Sequence, residues 1–121
     1  MRQIQRLNMN KIKEILDAIR REAMSDLTPD RAVLLLQKLS ALLGTVTEDW
    51  IQAEMTYNKY YEVMADKYEK ITEAKTHAKA SNEYELKLRA EGMLDVTKEL
   101  MNALKYSIKN KIDERRESRF Q

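Results

Sequence analysis

Ala80-Ser81-Asn82-Glu83-Tyr84-Glu85 is the stretch that decides how this 121-residue chain folds. After Gly44 the only glycine or proline in the chain is Gly92, so no other residue of either type marks a turn in the second half. Asn82 followed three residues later by Glu85 has the form of a capping box, which predicts one helix ending near residue 80 and another starting at 83. Upstream, Tyr57, Tyr61, Met64, Tyr68, Ile71, Lys75 and Ala78 recur at alternating steps of four and three. Downstream, Leu86, Ala90, Met93, Thr97, Leu100 and Leu104 do the same, and Ile108 follows after a further step of four. Two matched seams on either side of a joint predict a long antiparallel hairpin, 48–80 with 83–116, each arm on the order of 50 Å. The first seam is rich in Tyr and Ala and contains Lys75, so it is weak as an isolated coiled coil.

Further out, Thr28-Pro29 places a capping hydroxyl before a proline at the first helical position. Gly44 supplies a left-handed stop in this reading, which bounds a helix at 29–43. Thr45 with Glu48 then forms a capping box for the first hairpin arm. Ile12, Ile15, Leu16 and Ile19 predict an earlier helix at 9–24. The expected fold class is all-α: one helical domain over 1–121, with two shorter N-terminal helices bracing the hairpin. Helix 29–43 carries leucines on most faces, which suits a core or a subunit interface rather than water. Leu35, Leu36, Leu39, Leu42 and Trp50 are the candidate protein-contact residues, and self-association is expected.

Composition excludes several classes. With no cysteine there is no disulfide scaffold, thiolate zinc site or Cys nucleophile. The longest apolar run, Ala32 to Leu36, is far below a membrane span, and the basic start lacks a signal-peptide core. A cytoplasmic chain with no membrane association is expected. His77 is the only histidine, so a ferritin-like metal bundle lacks its second histidine. Glu62, Asp66, Glu69 and Glu73 are interleaved with Lys59, Lys67 and Lys70, and ion pairing along the helix explains them. No Gly-rich loop is present to hold a phosphate. No catalytic residues, metal or cofactor are expected; the chain reads as a non-enzyme.

Charge is distributed unevenly. Residues 1–24 hold six basic and three acidic side chains, 105–121 again six and three, and 25–104 ten and fourteen. Both ends are basic around an acidic centre, which makes a surface attractive to nucleic acid. Lys105, Lys109, Lys111, Arg115, Arg116 and Arg119 form a positive track to neutralise phosphates. Tyr60, off the seam, and Tyr106 are candidates to stack on exposed bases. Tyr57 and Tyr61 belong to the seam. A leucine-rich helix behind Thr28-Pro29 is the wrong chemistry for reading base edges. Binding through backbone charge to flexible single strands, with little sequence preference, is therefore expected. A protein-only role is the alternative: a helical assembly module, adaptor or phage-encoded inhibitor, using the leucines of 29–43 or the region around Trp50.

The stretch Leu100-Met101-Asn102-Ala103-Leu104-Lys105-Tyr106-Ser107-Ile108-Lys109, within Trp50 to Arg116, resembles the phage recombination mediator family. Those proteins bind single-stranded DNA and help load a recombinase onto it. The resemblance implies that Lys105, Lys109 and Lys111 contact DNA and that the chain forms a ring-like homo-oligomer. Met1 to Gly44 does not share the likeness.

Overall fold

The computed structural model describes the backbone of residues 2–119 and the side chains of residues 8–117. Among these residues there are four helices and no strand: α1 (Arg2–Ala23), α2 (Pro29–Lys67), α3 (Ile71–Lys79) and α4 (Asn82–Arg119). The fold is all-α. Its spine is an antiparallel pair of α2 and α4, each about 57 Å long. α1 lies along both, and α3 folds back mainly onto α2.

Two predicted boundaries inside the first arm are corrected. Helices 29–43 and 48–80 are replaced by a continuous α2 over Pro29–Lys67 and a separate α3 over Ile71–Lys79. Gly44 does not stop α2, and no glycine has positive φ. The reason lies in the apolar phase. Ala32, Leu35, Leu39, Val46, Ala53 and Tyr57 are all buried and remain in register across Gly44. Continuing the helix keeps one stripe facing α4, and each buried leucine or valine contributes about 1.5–3 kcal/mol. That outweighs the roughly 1 kcal/mol that an interior glycine costs. A Cβ at Gly44 meets nothing within 4 Å. Gly44→Ala is therefore expected to raise stability by up to about 1 kcal/mol, read by urea denaturation in dilute solution.

The break comes instead at Tyr68, whose extended backbone (φ −112°, ψ 135°) ends α2 with its N–H donated to the Met64 carbonyl. Neither Gly nor Pro marks it. Register explains it. In a plain hairpin turning at Ser81-Asn82, Tyr57 would face roughly residue 106, and Leu35 to Val46 would project past the end of the partner arm. Instead Tyr57 meets Tyr84, ring centroids 5.3 Å apart. Folding α3 back slides α4 along α2 by about six turns. The leucines of α2 then join Leu94, Leu100 and Leu104 in one core. Ala74 and Ala78 of α3 are fully buried, and the His77 ring stacks on Tyr68 at 4.4 Å. Because the break resets the helical phase, Ile71 and Lys75 leave the expected seam and are exposed.

The other end follows the sequence closely. Thr28 Oγ1 accepts the Arg31 N–H at 3.3 Å and Pro29 opens α2. Met9, Ile12, Leu16 and Ile19 of α1 are buried, whereas Ile15 is exposed. Met9 packs with Ala53, Leu86 and Ala90, while Ile12, Leu16 and Ile19 join the leucine core, so α1 runs alongside α4 in the same direction. Glu22 and Arg31 form a two-pronged ion pair that ties α1 to α2. At the joint, the cap is Ser81 rather than Asn82: its Oγ accepts the Tyr84 N–H at 3.2 Å.

One buried polar atom sets a pH dependence. Asp49 Oδ2 is enclosed without a hydrogen-bond partner. Burial first, then the neighbouring Glu48 carboxylate, push the Asp49 pKa above the usual carboxylate range. The folded state thus holds this proton more tightly than the unfolded one, and stability falls as pH rises through that window. Asp49→Asn is expected to melt higher than wild type at neutral pH. The difference should shrink as pH drops below about 4, where both states of the wild type are protonated. Thermal melts across a pH series read both outcomes.

Candidate nucleic-acid interface

The cations of the expected track all sit on α4, and helical geometry sorts them into two sets. At 3.6 residues per turn, Lys98, Lys105, Lys109 and Arg116 share one flank, spanning about 27 Å along the axis. All four are exposed, as are Asn102 and Tyr106 on or beside the same flank, Tyr106 at 69%. Glu99, Asp113 and Glu117 occupy the adjoining side. Lys111 and Arg115 point differently. Both line a recess with Pro29 and Glu114, and Lys111 reaches Asp26 in the α1–α2 turn at 3.5 Å. The expected track therefore divides, with Lys105, Lys109 and Arg116 on the open flank and Lys111 and Arg115 at the junction with the start of α2. Arg119 is the last residue of α4, and its side chain lies outside the described residues.

The flank was only partly anticipated, because Lys98 was not among the expected residues. Its signal was present in the spacing, seven residues before Lys105 within the helix expected over 83–116. Tyr60 is half-buried, so it is a poorer stacking platform than Tyr106. Tyr57 and Tyr61 lie together, ring centroids 6.5 Å apart, and Lys87 Nζ stands 4.7 Å from the Tyr57 ring centre. Burial, then the Tyr84 and Tyr61 phenols, push the Tyr57 hydroxyl up from its ordinary pKa.

A second basic feature lies on the other side of α4. An open groove of about 550 Å³ between α1 and α4 is lined by Lys13 and Arg20 of α1 and Arg89 of α4, above Gly92 and Val96. Asp17 sits among them, and Arg89 is paired with Glu85 at 2.9 Å, so its positive charge is largely offset.

The candidate protein-contact residues also divide. Leu35 and Leu39 are 1% and 0% exposed and are spent on the chain's own core, where a partner cannot reach them. Leu36, Leu42 and Trp50 are half-buried and pack against that core. The apolar side chains that α2 shows to water are Val33, Leu34, Ile51, Met55 and Val63. The leucine excess of 29–43 conceals which leucine faces which way until α4 is placed.

Among the described residues, no group of three or more His, Asp or Glu is arranged to hold a metal ion. No described helix is long and apolar enough to cross a membrane. No protein-family model, curated protein or solved structure matches the chain.

Proposed function

We propose that this chain is a non-catalytic, nucleic-acid-associated accessory protein that holds single strands along the open flank of α4. The observation that carries the reading is the exposed row Lys98, Lys105, Lys109 and Arg116 beside Asn102 and Tyr106. A rigid helix presents these cations at steps of seven, four and seven residues, a spacing along which a flexible phosphate backbone can bend. Tyr106 offers a ring face to an unpaired base, and Asn102 offers an amide to sugar or backbone. Nothing on the flank has the paired geometry that reads base edges, so affinity should be nearly independent of sequence. A mediator role in recombination or replication is the specific form proposed, supported by the rhythm of Leu100 to Lys109. Fluorescence anisotropy with a labelled oligothymidylate at low salt tests the reading. Binding that weakens as salt is added is expected; absence of binding by the wild type overturns it.

A protein-only assembly role is the second reading, supported by the exposed apolar side chains of α2. It predicts a stable complex whose affinity is insensitive to the loss of Lys98, Lys105 and Lys109.

A further inference from the structure

Three tyrosines and a lysine gather between the second half of α2 and the start of α4. The Tyr57 ring is buried, and the centroids of Tyr61 and Tyr84 lie 6.5 and 5.3 Å from it. Tyr61 and Tyr84 are only half-buried, so each keeps part of its surface in water. Lys87 Nζ stands 4.7 Å from the Tyr57 ring centre. A cation therefore already occupies Tyr57, and the rings left to receive something else are Tyr61 and Tyr84. Their packing on Tyr57 holds both in place, so little side-chain freedom is lost when a flat partner settles on them.

The cluster lies in line with the cationic flank of α4. Lys87 precedes Lys98 by eleven residues, which returns to within about 20° of the same direction around the helix. The line from Arg116 to Lys87 runs about 44 Å, against about 27 Å for the four exposed cations. Exposed Glu91 interrupts the positive charge between Lys87 and Lys98, and the Lys87 ammonium is engaged with Tyr57. This end of the line thus offers ring faces rather than free cations.

We infer that Tyr61 and Tyr84 form a stacking site for unpaired bases of the strand whose phosphates the α4 flank holds, an inference that rests on the single-strand reading above. The two contributions differ in kind. Lysines on the flank displace counterions, so their share depends on salt, whereas stacking on a ring releases none. Anisotropy titrations with two labelled strands of equal length separate them: an oligothymidylate, and the same backbone carrying abasic sites. Tyr61→Leu and Tyr84→Leu keep apolar bulk at half-buried positions and remove the ring, with circular dichroism to confirm the helices. Each is expected to weaken oligothymidylate binding by about fivefold or more. The slope of log K against log salt should stay at the wild-type value, and affinity for the abasic strand should not change. Tyr84→Phe, which keeps the ring, should bind like wild type. The two leucine changes lie on different helices, so if one unfolds the chain the other still decides. Leucine variants that bind oligothymidylate as tightly as wild type overturn the stacking site and leave the flank standing. An equal loss on both strands also overturns it, since a contact with bases cannot weaken a strand that lacks them. A wild type that binds neither strand overturns the single-strand reading and the stacking site with it.

Discussion

Leu39→Ala is expected to lower the unfolding free energy by about 3–5 kcal/mol, the upper part of the range for buried leucines. Leu39 is wholly enclosed, in a core built from α1, α2 and α4 together. Truncation removes side-chain contacts and leaves a cavity that three long helices cannot close without moving apart. For a chain of this length the melting temperature should fall on the order of 10–20 °C. Leu34→Ala is the matched control: the same chemistry, five positions away, on a side chain that is half exposed. Its effect should stay within about 0.5 kcal/mol. Urea denaturation of both variants in dilute solution measures the contrast. Equal costs would mean that the buried face of α2 has been assigned to the wrong side.

The second large effect concerns the α4 flank. For single strands, log K falls against log salt with a slope of about −0.7 for each phosphate neutralised. Four contacts from Lys98, Lys105, Lys109 and Arg116 predict a wild-type slope near −2.8. Replacing Lys98, Lys105 and Lys109 together by Glu should reduce it to about −0.7 or less and weaken low-salt binding at least about tenfold. The same loss is expected on every oligonucleotide sequence, because these side chains meet backbone rather than bases. All three are exposed, so the melting temperature should hardly change. Lys13→Glu with Arg20→Glu, in the groove between α1 and α4, is the comparison. That pair alters net charge two-thirds as much yet should leave the slope close to wild type. A slope that tracks net charge alone, whichever side is altered, would count against a defined site.

Much of the fold was legible in local signals. Thr28-Pro29 marks where α2 begins, and the Ser81-Asn82 joint marks where α4 begins, because capping is a property of a few neighbouring residues. The apolar steps from Leu86 to Ile108 predicted α4 correctly, since one uninterrupted period suffices. What stayed hidden depends on partners distant in sequence. Gly44 resembles a stop until one knows that α4 rewards continuing the helix past it. Tyr68 to Lys70 contains no breaker, and the chain turns there because turning gives the leucines of α2 a partner. At the candidate site, Lys105, Lys109 and Arg116 were readable as a run of charge. Their separation from Lys111 and Arg115 required the helix to be laid against its neighbours, whereas Lys98 was already marked by its seven-residue spacing from Lys105. Leu35 and Leu39 passed for contact residues because composition alone cannot say which side of a leucine-rich helix is already occupied.

The register created by the fold-back of α3 has a consequence for biosynthesis. Leu39 leaves the ribosome roughly sixty residues before Leu100, which belongs to the same core. At about 5–20 residues per second, the leucine side of α2 waits several seconds for its complement. During that interval the nascent polypeptide has only α1 to shield it. Overproduction at elevated temperature should therefore favour inclusion bodies, and slower translation or abundant holdase chaperones should favour recovery of the native form.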